Sequence, residues 1–348
     1  MLNWIYEAYG RGFGPLRLFG SFFFLAAVGY ATTAIATWVA LPRLWDRLPK
    51  DRGRAFAVNA EQSVGKPLSA GLVFVSIFCL AALIFIPFQA AALRSLPFIF
   101  AAMLVGYLDD RRGGFSEYQL AAMDLAIALA ASVAVLGLRE WAIWLPGFKP
   151  AVLLSPWIGL PLATALIWIS INATNCSDGV DGVSGSLTGT AIMILGALLY
   201  AVIGNADVAA HLHVPVNPEG ADWAIMAFVM VGSVSGYLWY NAAPSQVLMG
   251  DAGSRPLGLM IGLLTVATGN PLFLLLVGSM ILANGATGLV KVAVTRFLGI
   301  RVLAGIRFPL HDHARKELGW SNTQVLVRFL ILHLGLSALL VILVLKIR

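Results

Sequence analysis

Long apolar runs with almost no charge recur along the whole chain, and they constrain its fold more than any other feature. Residues 18–41, 68–90 and 325–345 form three such runs. Each is long enough to cross a hydrocarbon core, because a core roughly 30 Å thick takes about 20 apolar residues. Only 11% of the residues are charged, whereas soluble proteins contain about a quarter. The sequence therefore excludes a water-soluble domain and predicts an all-α polytopic membrane protein, with one domain over residues 1–348.

Apolar runs bounded by charged residues, proline and glycine predict ten transmembrane helices. They are expected near residues 17–41, 68–90, 95–108, 118–138, 153–172, 184–204, 222–240, 256–268, 271–294 and 324–346. The polar segments between them then alternate between the two sides of the membrane.

Lysine and arginine are divided unevenly between the two sets of loops. One set comprises residues 42–67, 109–117, 172–183, 241–255 and 295–322, and with the adjoining helix ends it holds sixteen of the 23 Lys and Arg residues. The positive-inside rule predicts that these five loops are cytoplasmic and that both termini face outward. Because membrane loops are basic for this reason, the net charge of +6 does not indicate a nucleic-acid partner.

Aspartates follow three of the predicted spans on this cytoplasmic side. Asp109 and Asp110 lie in the segment LDDRR (108–112), Asp178 and Asp181 follow the fifth span, and Asp251 follows the seventh. Carboxylates at membrane level are costly unless they are paired, hydrated or bound to a cation. Their concentration in three of the five cytoplasmic loops indicates that these loops form an active site, although LDDRR alone fits a solvated helix end equally well.

Adjacent carboxylates such as Asp109 and Asp110 repel each other, so a hard divalent cation or the neighbouring Arg111 and Arg112 would stabilise them. Mg²⁺ binds one or two protein carboxylates and completes its coordination with water and substrate phosphate oxygens. A nucleotide diphosphate fits that requirement.

Two further segments combine glycine with polar side chains. NATNCSDGVDG (172–182) offers two amides and two carboxylates that could bind ribose, base or metal, and its glycines let backbone approach a ligand. Helix capping explains two of those four residues. In MGDAGS (249–254), Asp251 by itself would be interpreted as a helix N-cap. Beside the other acidic loops it is interpreted as catalytic.

The segment PLHDHARKELGW (309–320) places His311 and His313 on either side of Asp312 in a basic loop. Such histidines could bind phosphate oxygens or a metal. Zinc is disfavoured because no thiolates accompany them.

These motifs, in this order, resemble those of the polyprenyl-phosphate N-acetylhexosamine-1-phosphate transferase superfamily over residues 65–320. Segments 172–182, 249–254 and 309–320 are most similar to the phospho-N-acetylmuramoyl-pentapeptide transferases. The resemblance implies a homodimer in the bacterial inner membrane, with ten transmembrane helices and a role in peptidoglycan synthesis, cell shape and division. It also implies a small periplasmic β-hairpin, for which residues 141–154 and their Pro-Gly turn are suited.

The activity implied by the resemblance is Mg²⁺-dependent transfer of phospho-N-acetylmuramoyl-pentapeptide from UDP-N-acetylmuramoyl-pentapeptide to undecaprenyl phosphate, which gives lipid I and UMP. Asp109, Asp110 and Asp251 match catalytic positions, and Asp110 and Asp251 are expected to bind Mg²⁺. Lys66 lies in GKPL (65–68), where the family has a Gly-Thr-Pro-Thr type loop, and is expected to contact phosphate. The expected substrate-binding residues are Lys66, Asn172, Asn175, Asp178, Asp181, Asn241, Gly250, Ser254, His311 and His313.

Three alternatives remain open from the sequence. The transfer could be a single in-line attack assisted by an aspartate, or it could pass through an aspartyl-phosphate type intermediate. The sugar could be GlcNAc-1-phosphate on the same lipid carrier. A secondary transporter would place ionisable residues near the bilayer midplane, whereas Asp124 is almost the only acidic residue inside a predicted span.

Overall fold

α-Helices account for most of the residues that the computed structural model describes, which are 1–10, 12–53 and 63–347. Arg11, Arg54 and Arg348 contribute to the charge count above and lie outside these ranges. The helices are α1 Leu2–Tyr9, α2 Phe22–Leu44, α3 Gly71–Phe85, α4 Ala91–Arg94, α5 Leu96–Arg112, α6 Glu117–Leu136, α7 Pro156–Ser177, α8 Val183–Leu198, α9 Ala206–Leu212, α10 Gly220–Asn241, α11 Asp251–Ala267, α12 Leu272–Val277, α13 Ser279–Ile281, α14 Thr287–Leu298, α15 Leu310–Lys316 and α16 Asn322–Ile347.

Eight helical segments of the described chain are long and apolar enough to cross a membrane. They are Phe22–Arg47, Ala91–Arg112, Glu117–Leu136, Pro156–Ser177, Val183–Ile203, Gly220–Asn241, Ser279–Leu298 and Asn322–Ile347. The prediction of an all-α polytopic membrane protein is therefore confirmed. The count of ten is not, because the second and eighth predicted spans form α3 and α11, which have only 15 and 17 residues.

α11 lies inside the bundle, and all of its residues are buried. It packs mainly against α5, α7 and α8. Two of its glycines allow close contact with α7, since a Cβ on Gly258 would lie 2.6 Å from the Ile171 Cα and one on Gly262 would lie 2.6 Å from the Ile167 Cα. A helix covered by other helices need not match the lipid thickness, which explains how so short a helix can occupy this position.

The boundaries of two other predicted spans also differ from expectation. α7 continues to Ser177, so Asn172 and Asn175 are helical rather than part of a loop. Asn172 Nδ2 donates to the Trp168 carbonyl oxygen at 2.9 Å, a bond within its own helix that makes the amide compatible with helical backbone. The ninth predicted span, 271–294, is divided into α12, α13 and a π-helical turn, Leu282–Ala286, before α14 begins.

The predicted hairpin is present. Strand β1, Trp141–Ile143, pairs antiparallel with β2, Val152–Leu154. The indole of Trp144, next to β1, donates to the Thr268 carbonyl oxygen at 2.9 Å and packs edge-on against Phe273. The hairpin is thus fastened to the end of α11 that lies farthest from Asp251.

Candidate active site

Three aspartates from two helices meet at one end of the bundle. Asp109 and Asp110 lie in the last turn of α5, and Asp251 is the first residue of α11. One carboxylate oxygen from each of these residues lies within 4.8 Å of the other two. Three carboxylate oxygens so close together are hard ligands of the kind that Mg²⁺ prefers. The geometry therefore fits the expected divalent cation.

The beginning of α11 points at the carboxylate of Asp110. The backbone N–H groups of Asp251 and Ala252 donate to its Oδ1 and Oδ2, at 3.1 and 3.3 Å. The hydroxyl of Ser69 also donates to Oδ2, at 2.7 Å. Because unpaired N–H groups at a helix N-terminus favour negative charge, this arrangement stabilises the ionised Asp110 next to two other carboxylates.

Two glycines make this approach possible. Gly250 has φ +69°, which favours glycine, and a Cβ there would lie 2.3 Å from Asp110 Oδ2. A Cβ on Gly106, one turn before Asp110 on α5, would lie 2.2 Å from the carbonyl carbon of Asp251. The role of Gly250 that follows from the structure is to admit the Asp110 carboxylate.

Asp109 is held by the short connection between α5 and α6. Its Oδ1 accepts a hydrogen bond from the backbone N–H of Phe115. The side chain is thereby oriented from the loop side, while Asp110 is oriented from the side of α11.

Asp251 is part of a buried ion-pair network that extends to α6. Arg255, one turn along α11, donates from Nε and Nη2 to Asp251 Oδ2 at 3.1 and 2.8 Å. Its Nη1 donates to Asp124 Oδ2. The side chains of Arg255 and Asp124 are 3% and 0% exposed, so this ion pair is shielded from water.

The segment 172–182 is joined to the loops around it by side-chain hydrogen bonds. Asn175 Nδ2 donates to the hydroxyl of Ser254 on α11 at 3.0 Å. Asp181 Oδ2 accepts from the backbone N–H of Ser245 at 3.1 Å, and Lys66 Nζ donates to the Ser245 hydroxyl at 3.1 Å. Four of the expected binding residues therefore lie in one connected region, next to the aspartate cluster.

Asn241, the last residue of α10, joins the segment 172–182 to the connection between α10 and α11. Its Oδ1 accepts from the Gly182 N–H and its Nδ2 donates to the Val247 carbonyl oxygen, both at 2.8 Å. The side chain is buried, with its amide used on backbone groups. Asn241 supports the shape of this region, while Asp178 lies partly exposed directly after α7.

α15 brings His311 against the segment 172–182. A Cβ on Gly179 would lie 2.5 Å from His311 Nε2, so the imidazole occupies the space that this glycine leaves. The backbone N–H of His311 donates to Asn284 Oδ1 at 2.9 Å, and His313 Nδ1 accepts from the Arg307 N–H at 3.4 Å. Residues predicted from two distant motifs are thus neighbours.

Asp312 lies between two arginines rather than among the other aspartates. Its Oδ1 is 3.8 Å from Arg315 Nη1, and its Oδ2 is 4.0 Å from Arg307 Nε. Burial raises the pKa of Asp312 above its ordinary value, and the two arginines, with Lys316, partly oppose that rise. The Asp312 carboxylate orients these two arginine side chains at the edge of the site.

A basic cavity opens beside Asp110. Its volume is about 620 Å³. The cavity is lined by Arg47, Leu48, Pro49, Lys50, Asp51, Arg52, Tyr107, Asp110 and Arg111. Four Lys and Arg side chains around one space favour an anionic group there.

Four residues of this site were not found from the sequence. They are Ser69, Asp124, Arg255 and Asn284. Asp124 carried a usable signal, since an aspartate inside a predicted span requires a buried partner. Arg255 follows Asp251 by four residues, the spacing of neighbours on one face of a helix. Ser69 and Asn284 carry no signal that separates them from other small polar residues.

Comparison with known proteins agrees with these features. The sequence model of glycosyl transferase family 4 matches residues 92–269, a range that contains the aspartate cluster and the segment 172–182. The chain is therefore a polytopic membrane protein of a transferase family.

Individual relatives indicate which kind of transferase this chain resembles. The phospho-N-acetylmuramoyl-pentapeptide-transferase of Treponema pallidum (strain Nichols) is 43% identical over 327 residues, which cover 92% of this chain and 89% of the relative. The protein of the same name from Dinoroseobacter shibae is 31% identical over 80% of each chain. That from Gemmatimonas aurantiaca is 29% identical over 100% of both. The chain belongs to the phospho-N-acetylmuramoyl-pentapeptide transferase family.

Proposed function

We propose that the protein transfers phospho-N-acetylmuramoyl-pentapeptide from UDP-N-acetylmuramoyl-pentapeptide to undecaprenyl phosphate, with Mg²⁺ as cofactor, and releases UMP and lipid I. The observation that carries the proposal is the meeting of Asp109, Asp110 and Asp251 within 4.8 Å. Ser254, in the first turn of α11 with Asp251, is hydrogen-bonded to the segment 172–182, and His311 of α15 lies against Gly179 of that segment. The names of the relatives support the same reaction.

The residues proposed to hold the cation are Asp110 and Asp251, with Asp109 beside them. When bound there, Mg²⁺ would neutralise negative charge on the nucleotide diphosphate. The donor set suits this ion because all three side chains offer oxygen. The N–H groups at the beginning of α11 hold the carboxylate of Asp110 in place.

The protein side chains would act mainly by positioning the two substrates. An oxygen of the lipid phosphate attacks the phosphorus that carries the sugar, a new P–O bond forms, and the bond to UMP breaks. Asp109 or Asp110 would orient or deprotonate the attacking phosphate. Phosphoryl transfer depends chiefly on such positioning and on electrostatic stabilisation.

The two substrates would approach the aspartates from different directions. The cavity lined by Arg47, Lys50, Arg52 and Arg111 suits the lipid phosphate, because it is basic and directly beside Asp110. Asn175, Asp181 and Ser254 would contact the uridine nucleotide from the other side. His311 and His313, on α15, would contact the sugar phosphate.

We propose further that this end of the bundle is cytoplasmic, that both termini face outward and that the protein is a homodimer. The positive-inside count supports the orientation. The amino group of Met1 lies 3.4 Å from the Leu83 carbonyl oxygen, and Leu83 lies near the end of α3 remote from Gly71 and the aspartates. α16 follows α15 after a short connection and runs for 26 residues, about 39 Å, away from the site.

The proposal predicts that Asp109→Asn, Asp110→Asn and Asp251→Asn each lower the rate of UMP release by about 100-fold or more. The assay contains both substrates and Mg²⁺, and the protein is purified in detergent. Asp207→Asn is the matched control, because it makes the same change at an exposed position on α9. Rates near wild type in all three site variants would overturn the proposed site.

The sugar is tested by exchanging the nucleotide substrate. UDP-N-acetylmuramoyl-pentapeptide is expected to release UMP and give a lipid-linked product, whereas UDP-GlcNAc is expected to give neither. Turnover of UDP-GlcNAc alone would show a GlcNAc-1-phosphate transferase, with the aspartate site retained and the proposed substrate wrong.

A further inference from the structure

Arg255 is a buried side chain that hydrogen-bonds to one carboxylate oxygen of Asp251, an aspartate of the proposed metal site. Both its Nε and its Nη2 donate to Asp251 Oδ2, at 3.1 and 2.8 Å. A guanidinium group is planar and always charged, so two such contacts fix the carboxylate as well as neutralise it. Oδ1 is the Asp251 oxygen that Arg255 does not contact.

Arg255 is itself fixed from a second helix. Its Nη1 donates to Asp124 Oδ2 on α6, and Asp124 is fully buried. The other oxygen, Asp124 Oδ1, has no hydrogen-bond partner within the described part of the chain. A buried carboxylate in that position depends on its cation. The guanidinium therefore has little freedom to leave Asp251.

We propose that Arg255 is a positioning residue that restricts Asp251 to one metal-binding oxygen and thereby favours Mg²⁺ over Ca²⁺. This inference rests on the proposed function, in which Asp251 binds the cation. Mg²⁺ takes octahedral coordination and keeps several waters, so one oxygen per carboxylate suits it. Ca²⁺ takes about six to eight oxygens and accepts carboxylates through both oxygens. Because Arg255 is hydrogen-bonded to Asp251 Oδ2, Ca²⁺ could not bind Asp251 through both oxygens.

The ratio of the affinities for Ca²⁺ and Mg²⁺ separates the restriction of Asp251 from a general change in electrostatic potential. Removing the charge of Arg255 changes the potential at the site, and that change alters the binding of every divalent cation in the same direction. Mg²⁺ and Ca²⁺ carry equal charges, so this contribution largely cancels in their ratio. A change in the ratio therefore reports the geometry of the carboxylate.

The test is a Mn²⁺ titration of the full-length protein in detergent, followed by the EPR signal of free Mn²⁺, with Mg²⁺ and Ca²⁺ as competitors. The main variant is Arg255→Met with Asp124→Leu, which removes Arg255 together with the fully buried Asp124, so that Asp124 is not left as a buried charge without a cation. The Ca²⁺-to-Mg²⁺ affinity ratio is expected to rise about tenfold, the size typical of losing a group that orients a metal ligand.

Two further variants support the interpretation. Arg255→Lys keeps the charge but replaces the planar fork by a point donor, so the ratio is expected to shift in the same direction by a smaller factor. Glu117→Leu with Arg296→Met is the matched control. That ion pair also involves α6, spans 3.6 Å and is largely exposed, and its removal is expected to leave the ratio unchanged.

An unchanged ratio in either folded Arg255 variant would overturn the proposal, because Arg255 would then serve packing alone. Folding is checked by gel filtration and by the melting temperature. Failure of the proposed function gives a different result: wild-type protein would bind no Mn²⁺, or Asp251→Asn would bind it as tightly as wild type does.

Discussion

α11 and α14 both begin beside the candidate site, yet they contact the rest of the protein in opposite ways. Every residue of α11 is buried, whereas α14, which the structure describes throughout, contains no buried residue. Phe297 on α14 is 74% exposed, for example. The aspartate centre therefore depends on the packed interior, and the segment that leads to His311 depends on a few polar contacts.

Those few contacts can be named. Lys291 on α14 donates from Nζ to the carbonyl oxygens of Leu303 and Ile306 at 3.0 and 2.7 Å, and Asn284 accepts from the His311 N–H. Because this segment has few fixed points, we expect it to tolerate substitutions better than α11 does. The comparison predicts that equal changes cost more near α11 than near α14 and α15.

The largest effect is expected from Gly106→Ala, which tests the packing of α11 against α5. The new Cβ would lie 2.2 Å from the carbonyl carbon and oxygen of Asp251, so the backbone of one helix must move. Overpacking of this kind costs about 1–3 kcal/mol of unfolding free energy. Displacing one aspartate by an ångström can lower activity about 100-fold. UMP release and melting temperature measure both consequences.

Gly335→Ala is the control for this change. Gly335 lies on α16, where a Cβ would meet no heavy atom within 4 Å. Alanine there is expected to leave activity unchanged and to preserve or slightly raise the melting temperature. Equal activity of the two variants would contradict the view that close helix contact positions Asp251.

A smaller effect is expected from Asn284→Ala, which tests how α15 is attached. The variant leaves the buried N–H of His311 without its acceptor, at a cost of about 1–3 kcal/mol. We expect KM for the sugar nucleotide to rise about tenfold, with kcat less affected, because the aspartates keep their own supports. Steady-state kinetics at saturating lipid phosphate would measure this split.

Asn217→Ala is the control that separates a weaker attachment of α15 from a general loss of stability. Asn217 Nδ2 donates to the Ala267 carbonyl oxygen at 2.9 Å, at the far end of α11. Both variants are expected to melt earlier, but only Asn284→Ala should raise KM. If KM rose alike in both, the proposed contact of His311 with substrate would lose its support.

The smallest effect concerns pH and Asp312. Its pKa is raised by burial above the ordinary value of 3.8, so the folded protein binds this proton more tightly than the unfolded chain does. The stability that protonation contributes is present in full below the ordinary pKa and is lost as the pH rises through the raised one. Relative to Asp312→Asn, wild type should therefore lose melting temperature as the pH rises from acid towards neutral. If the melting temperatures of the two proteins changed with pH in parallel across that range, the result would contradict the burial of this carboxylate.

Hydropathy predicted most of the helices because lipid imposes a local requirement. The run 325–345 could be assigned to a span without knowing its neighbours, and α16 covers it. The same reasoning placed Asp109, Asp110 and Asp251 at one end of the bundle, since alternating spans bring alternate loops to one side. It gave a count of ten spans that is not confirmed at α11, a helix of 17 residues in which contact with other helices replaces contact with lipid.

What the sequence by itself determined was thus the membrane class, most of the spans and the set of acidic motifs that come together, while the hairpin followed from the family resemblance. Only the tertiary structure decided how these motifs are supported. Arg255 reaches Asp124 across 131 positions of the chain, and His311 lies against Gly179. The physical reason is that apolar length is a property of each segment alone, whereas the partner of a buried charge depends on which helices pack side by side.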